Sequence, residues 1–192
     1  MTSMATAQNV ALITAEGQKA LLRDPGTDRV GAAQADLIIV EYFDYNCPYC
    51  KKIEPELQRL LAQDGKIALV YKDWPILSDV SVYAAKAALA ARWQGKYRVA
   101  HDALMNGPKL TDDTAVDSSL EHAGINLARL KKDGVQHGAE IEALLARNEA
   151  EAHALSIRGT PGIVIGRLLL PGITDLAGLE QLVAAARRES GS

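Results

Sequence analysis

Two short apolar runs dominate the first half of the chain, and a stretch with helical spacing separates them. The runs cover residues 36–43 and 67–71, and apolar runs of this length are typical of buried strands. The spacing between them predicts a helix over residues 48–62. Its apolar face consists of Ile53, Leu57, Leu60 and Leu61. A strand–helix–strand order predicts a right-handed crossover and parallel pairing of the two strands.

The second half begins with a long Ala-rich region that has helical spacing and no strand candidate. Glycines divide this region into predicted helices at 78–93, 97–106, 112–123, 126–133 and 138–156. Two short apolar runs follow, 163–165 and 168–170, and the Gly166-Arg167 link between them predicts a β-hairpin. A last helix is predicted over residues 175–188.

Taken together, the elements predict an α/β fold of order β-α-β, a helical block, then β-β-α. We expect the strand at 67–71 and the hairpin to pair with each other, although the helical block separates them in the chain. An N-terminal helix is predicted over residues 8–23, with a turn at Asp24-Pro25-Gly26-Thr27 after it. The predicted organisation has three parts, which are an N-terminal segment 1–29, a main domain built from 30–77 and 157–192, and a helical insertion 78–156.

Charge and hydropathy exclude several classes of protein. The chain has 21 basic and 24 acidic residues, and no basic run indicates a nucleic-acid partner. It has no run of 18 apolar residues that would predict a membrane span. The N-terminal residues do not form a signal-peptide core, so the chain is predicted to be either cytosolic or the mature form of an exported protein.

The only two cysteines stand as Cys47-Pro48-Tyr49-Cys50, where the first strand meets the following helix. Pro48 suits the first helical position, where a missing N–H costs nothing. A helix N-terminus stabilises a thiolate, the nucleophile of disulfide exchange, by about 2 kcal/mol at most. A larger effect requires hydrogen bonds from the first turn or from the second thiol. We therefore predict a redox pair in which Cys47 is the exposed attacker and Cys50 the resolving thiol.

The cysteine pair has two other interpretations. They can be buried and inert, as small buried cysteines often are. They can also supply half of a zinc site shared between chains, because two ligands do not complete such a site. The four histidines, His101, His122, His137 and His153, are scattered through the predicted insertion. We expect them to be solvated or to cap helices, so no metal site is predicted.

The segment from Glu41 to Lys51, E-Y-F-D-Y-N-C-P-Y-C-K, resembles the active-site segment of the DsbA-like thiol–disulfide oxidoreductases. It is most similar to the Com1-type bacterial branch. The resemblance extends from about Val30 to the C-terminal helix. It implies a thioredoxin fold with a helical insertion, and it implies an extracytoplasmic location, which favours the mature form of an exported protein.

The resemblance also implies roles for residues outside the cysteine pair. Thr160-Pro161 matches a residue followed by a cis-proline that faces the cysteines, where the Thr160 backbone pairs with a substrate strand. Glu41 matches an acid that assists proton transfer at the buried cysteine. Lys72, at the end of the next strand, is the expected partner of Glu41. Pro48 and Tyr49, inside the C-P-Y-C loop, are expected to tune the redox couple together with Lys72.

These observations favour an oxidase that donates its disulfide to folding proteins. Its expected partners are unfolded cysteine-containing chains and a reoxidant that is a membrane protein or a small molecule. We expect a monomer whose only redox group is the Cys47–Cys50 disulfide, without another cofactor. An isomerase or reductase that uses the same pair, or a non-catalytic peptide-binding or chaperone module, remains an alternative. A glutathione-linked enzyme on a related scaffold is disfavoured because such enzymes typically replace one or both cysteines.

Overall fold

In the computed structural model, which describes residues 10–23 and 28–190, the strands form one six-stranded sheet. The strands are β1 (Ala11–Leu12), β2 (Asp28–Gly31), β3 (Leu37–Phe43), β4 (Ile67–Asp73), β5 (Gly162–Ile165) and β6 (Leu168–Pro171). Their order across the sheet is β1-β6-β5-β3-β4-β2. The apolar strand β3, which precedes the cysteines, therefore lies inside the sheet. Its C-terminal end leads directly into the segment that carries Cys47 and Cys50.

The helices follow the predicted order closely. They are α1 (Ala15–Arg23), α2 (Pro48–Gln63), α3 (Asp79–Ala90), α4 (Tyr97–Met105), α5 (Asp113–His122), α6 (Leu127–Gln136), α7 (Gly138–Ala154) and α8 (Leu176–Ser190), with a 3₁₀ turn at Ala91–Gln94. Five of them, α3 to α7, lie between β4 and β5 in the chain. The α/β thioredoxin architecture with an all-helical insertion is thus confirmed. None of the described helices combines the length and the apolar character needed to cross a membrane.

The register of the sheet fixes which side chains share a face. Strand β3 pairs in parallel with β4, as predicted, and Glu41 lies opposite Tyr71. On its other edge β3 pairs antiparallel with β5, where Glu41 lies opposite Ile163. The prediction that strand 67–71 and the hairpin pair with each other is therefore only partly right. Both belong to one sheet, but β3 lies between them.

Two elements near the N-terminus differ from the prediction. The first described helix begins at Ala15 rather than residue 8, because Ala11 and Leu12 pair with β6 as an edge strand. The predicted turn at residues 24–27 lies outside the described residues. Strand β2 was missed, since its four residues, Asp-Arg-Val-Gly, carry almost no apolar signal. It pairs with β4, and at Gly31 a Cβ would lie 2.5 Å from the Ile67 carbonyl oxygen.

Each face of the sheet packs its own apolar core. One core joins the sheet to α2, α8 and most of the insertion, and it includes both cysteines. The other core lies under α1 and the end of α7, and it includes Val40, Tyr42 and Trp74. Because successive residues of a strand point to opposite faces, Glu41 faces the first core and Tyr42 the second.

Candidate functional site

Cys47 is the N-cap residue of α2, and the following Pro48 begins the helix. The Cys47 backbone is extended (φ −74°, ψ 115°), so that its side chain turns back over the first helical turn. Its Sγ accepts a hydrogen bond from the Cys50 backbone N–H at 3.4 Å. Both cysteines are free thiols in this structure. The helix start that the sequence predicted around the pair is therefore present.

Hydrogen bonds lower the pKa of Cys47 to about 6. The Cys50 side chain makes the largest contribution, burial opposes it, and the backbone N–H groups of Cys50 and Tyr49 add to it. The helix start and its hydrogen bonds favour the charged sulfur because they place positive partial charge next to it. With a pKa of about 6, about nine-tenths of Cys47 is thiolate at neutral pH.

The pKa of the Cys50 thiol shifts in the opposite direction. The thiol is fully buried, and burial raises its pKa far above the ordinary value. The hydrogen bond to Cys47 and the nearby Glu41 carboxyl raise it further. One thiol of the pair is thus ready to react as an anion, and the other retains its proton.

The prediction that Cys47 is exposed is wrong, since only 3% of the residue is accessible. In the thiol form its Sγ–H donates to the Thr160 carbonyl oxygen at 3.2 Å, so the loop before β5 covers the sulfur. Pro48 and Tyr49 are instead the exposed residues of the C-P-Y-C loop, with Tyr49 at 59%. A reaction partner must therefore approach Cys47 along the loop that carries Thr160.

The Thr160–Pro161 peptide bond is cis, as the resemblance implied. Both residues line a groove of about 1130 Å³ whose walls come from residues 11–14, residues 154–162 and strand β6. The Thr160 Oγ1 atom is buried and has no hydrogen-bond partner among the described residues. The groove and the Cys47 sulfur thus share one loop.

Glu41 is fully buried beneath the cysteine pair. Neither of its carboxylate oxygens has a hydrogen-bond partner within the described part of the chain. Burial raises the pKa of Glu41 well above its usual value, and Glu54 and Cys47 raise it further. A buried carboxyl without a cation beside it retains its proton, so the structure places a neutral acid next to Cys50.

The prediction that Lys72 is the partner of Glu41 is wrong. In the parallel register Glu41 lies opposite Tyr71 and Lys72 lies opposite Tyr42, so the two side chains point to opposite faces of the sheet. The Lys72 Nζ lies 2.8 Å from the Glu151 carboxylate of α7. Lys72 thus stabilises the packing of α7 and does not touch the cysteine side.

Asp44, three residues before Cys47, organises the loop at the end of β3, and sequence reasoning missed it. One carboxylate oxygen accepts the Asn46 N–H at 2.7 Å. The other accepts the N–H groups of Ile76 and Leu77 at 2.9 and 3.0 Å. The position of Asp44 directly after an apolar strand is the feature of the sequence that could have identified it. Asp44 therefore joins the active-site loop to the loop that leads into the insertion.

Glu54 and His101 form a second buried polar group that sequence reasoning missed. Glu54 is four residues after Cys50, on the same face of α2. The prediction that the histidines are solvated or capping residues is wrong for His101, which is fully buried against the Tyr45 and Tyr71 rings. Its Nε2 lies 3.7 Å from Glu54 Oε1.

This group does not have the character of a cation site. Glu54, His101 and Asp102 bring ligand atoms within 4.8 Å of one another. The Arg98 guanidinium, however, already lies 2.8 Å from Asp102 and 3.6 Å from Glu54. Its charge occupies the position that a metal ion would need.

The family model described as a DSBA-like thioredoxin domain matches residues 38–184. A thioredoxin-like oxidoreductase from Silicibacter pomeroyi has a similar structure with a TM-score of 0.84 and 37% identity, over 92% of this chain and 99% of that chain. The thiol-disulfide exchange protein alpha-DsbA2 from Wolbachia pipientis has a TM-score of 0.82 and 28% identity, over 88% and 92% of the two chains.

Some curated relatives are much longer than this chain. The Na(+)/H(+) antiporter NhaA 1 of Salinispora arenicola is 29% identical over 85% of this chain, but the match spans only 25% of that protein. The chain thus corresponds to about a quarter of such a relative. The family match covers most of the described residues and includes both cysteines, Glu41 and the cis-proline loop. The chain belongs to the family of DSBA-like thioredoxin domains.

Proposed function

We propose that this protein is a thiol–disulfide oxidoreductase that donates the Cys47–Cys50 disulfide to cysteine-containing proteins folding outside the cytoplasm. The observation that carries the proposal is that the two thiols shift in opposite directions, because hydrogen bonds at the helix start stabilise the Cys47 thiolate and burial keeps the proton on Cys50. The pKa of Cys47 falls to about 6 and that of Cys50 rises. A stabilised Cys47 thiolate stabilises the reduced pair, and this makes the disulfide a better oxidant.

The reaction consists of two exchange steps. A substrate thiolate attacks the Cys47 sulfur, the Cys47–Cys50 bond breaks, and the Cys50 sulfur leaves with the electron pair. It takes up a proton, for which Glu41 is the proposed donor. A second substrate thiolate then attacks the substrate sulfur of the mixed disulfide and releases the Cys47 thiolate. The substrate gains one disulfide, and the enzyme gains the two electrons.

The groove beside Thr160 and Pro161 is the proposed binding site for the substrate chain. Its walls are partly apolar, and the loop backbone at residue 160 lies next to the Cys47 sulfur. An extended peptide bound there by strand addition would place its cysteine over position 47. Pro48 and Tyr49 complete the loop around the sulfur and are the proposed tuning residues. Membership of the Com1-type branch stays a prediction.

The in vivo cycle requires partners. We propose that unfolded cysteine-containing proteins are the substrates and that a reoxidising partner, a membrane protein or a small molecule, regenerates the disulfide. The proposed location is the periplasm or another extracytoplasmic space, and the proposed state is a monomer. An isomerase or reductase would use the same residues with a different redox potential.

The direction of exchange is tested by equilibrating the protein in glutathione buffers of graded composition and quantifying the oxidised pair. The oxidase proposal predicts a disulfide that even a weakly reducing buffer opens. A disulfide that survives strongly reducing buffers contradicts it and favours a reductase. Reoxidation of a reduced, unfolded test protein should require Cys47, so Cys47→Ser should abolish it. If Cys47→Ser retained full biological activity, a non-catalytic binding module would be the better account.

A further inference from the structure

Arg158 is the only charged residue among the described residues that line the groove beside the cysteines. The other walls are apolar or carry uncharged polar groups, and Leu12 and Leu170 supply partly exposed apolar surface. Arg158 is itself exposed, and it stands two residues before Thr160, whose carbonyl oxygen lies 3.2 Å from the Cys47 sulfur. The groove therefore offers a bound chain apolar contacts and one positive charge close to the reacting sulfur.

No group within the described part of the chain neutralises the charge of Arg158. Every other arginine from residue 29 to residue 188 has at least one polar or electrostatic interaction there, whereas Arg158 has none. Residues 1–9, which precede β1 at the border of the groove, contain no Asp or Glu. A guanidinium binds a carboxylate through two parallel hydrogen bonds. Arg158 is therefore available to a carboxylate that a bound chain brings with it.

Strand addition determines which residue of a bound chain reaches Arg158. The chain pairs with the backbone at Thr160, and its cysteine lies over Cys47. Two paired extended chains advance in step, by about 7 Å for two residues. The substrate residue that lies beside Arg158 is therefore two positions away from the reacting cysteine.

We propose that Arg158 is a specificity-determining residue, which selects cysteine-containing chains that carry a carboxylate two positions from the reacting cysteine. The inference rests on the exchange function proposed above and names its substrate class. An Asp or Glu side chain at that position pairs with the guanidinium, while a Lys or Arg side chain brings a second positive charge beside it. Because the pair is partly exposed to water, we expect attraction and repulsion together to change the exchange rate by about tenfold.

The test is the second-order rate at which reduced two-cysteine peptides open the Cys47–Cys50 disulfide of the oxidised protein. The peptides differ only in one residue, Glu, Gln or Lys, placed two positions before or two positions after the first cysteine. In one of these placements the wild type should react about tenfold faster with the Glu peptide than with the Lys peptide. Arg158→Glu should reverse this preference. The peptide thiol itself has the same reactivity toward both proteins, so the change in preference reports the groove alone.

Two controls separate local recognition from a general effect of charge. Lys132→Glu makes the same change in net charge at an exposed residue of α6 that does not line the groove, and it should leave the wild-type preference unchanged. In 1 M salt the preference of the wild type should shrink toward one, because salt screens an exposed pair. Equal preferences in the wild type and in Arg158→Glu would overturn the inference while leaving the exchange function intact.

A second measurement distinguishes substrate selection from an effect on the cysteines. Dithiothreitol, which carries no side chain for Arg158 to bind, should open the disulfide at nearly the same rate in the wild type and in Arg158→Glu. If dithiothreitol were slowed as strongly as the Glu peptide, Arg158 would act on the cysteine pair and the inference would fail. If no peptide opened the wild-type disulfide faster than it opens a free peptide disulfide, the exchange function itself would be contradicted.

Discussion

Lys72 and Glu151 form an ion pair of 2.8 Å on the sheet face opposite to Glu41. The lysine is fully buried, while 22% of the glutamate side chain is accessible. The same carboxylate oxygen of Glu151 accepts the Tyr42 hydroxyl at 3.1 Å. The pair therefore joins the insertion helix α7 to the central strands on the face that points away from the cysteines.

Replacing Glu151 by alanine should destabilise the protein without changing its chemistry. The loss of one member of a buried pair leaves a buried charge, and we expect a cost of about 2–3 kcal/mol in the free energy of unfolding. Urea unfolding measures this cost. Glu142→Ala, which removes the partner of Lys86 from an exposed pair, should have almost no effect. A slower rate of disulfide exchange in Glu151→Ala would contradict the separation of the two faces.

Replacing Glu41 by glutamine should slow disulfide exchange with little loss of folding. The raised pKa means that the folded protein retains the proton while the unfolded chain loses it above about pH 4.5. The wild type therefore loses stability as the pH rises from this value, and the variant does not. The free energy of unfolding, measured across this range, should rise for Glu41→Gln relative to the wild type as the pH approaches neutrality. Unchanged exchange rates with a peptide dithiol would remove the proposed role of Glu41.

Replacing Asp44 by alanine should loosen the loops around the cysteines. Three backbone N–H groups, those of Asn46, Ile76 and Leu77, would lose their carboxylate acceptor. We expect a loss of about 2–4 kcal/mol in the free energy of unfolding. Asp44→Asn, which retains one acceptor oxygen, should cost less. Equal stabilities of the alanine variant and the wild type would show that solvent replaces these bonds.

Most of the fold could be predicted from the sequence because its signals are local. The apolar run of β3, the helical spacing of α2 and the Gly166-Arg167 link each determine an element through nearby residues. Strand β2 could not be predicted in this way. Its pairing with β4 depends on a sheet edge contributed by residues far along the chain.

The misjudged site residues share one cause, since each depends on register or on long-range packing. The position of Lys72 at the end of a strand suggested a partner for Glu41, but the parallel register puts it on the other face. His101 resembles a solvated helix residue in sequence, and only the packing of α4 against Tyr45 and Tyr71 buries it. Glu54 was identifiable, because it follows Cys50 by four residues on a buried helical face.

The most direct test of the central claim is titration of the Cys47 thiolate in the reduced protein by its ultraviolet absorbance, with Cys47→Ser as the blank. The hydrogen bonds from the Cys50 side chain and the first turn of α2 predict a single midpoint at a pKa of about 6. The Cys50 thiol should not titrate in the same range, since its pKa is raised. A midpoint near 9, the ordinary value for a cysteine, would contradict the proposal that this helix start holds a reactive thiolate.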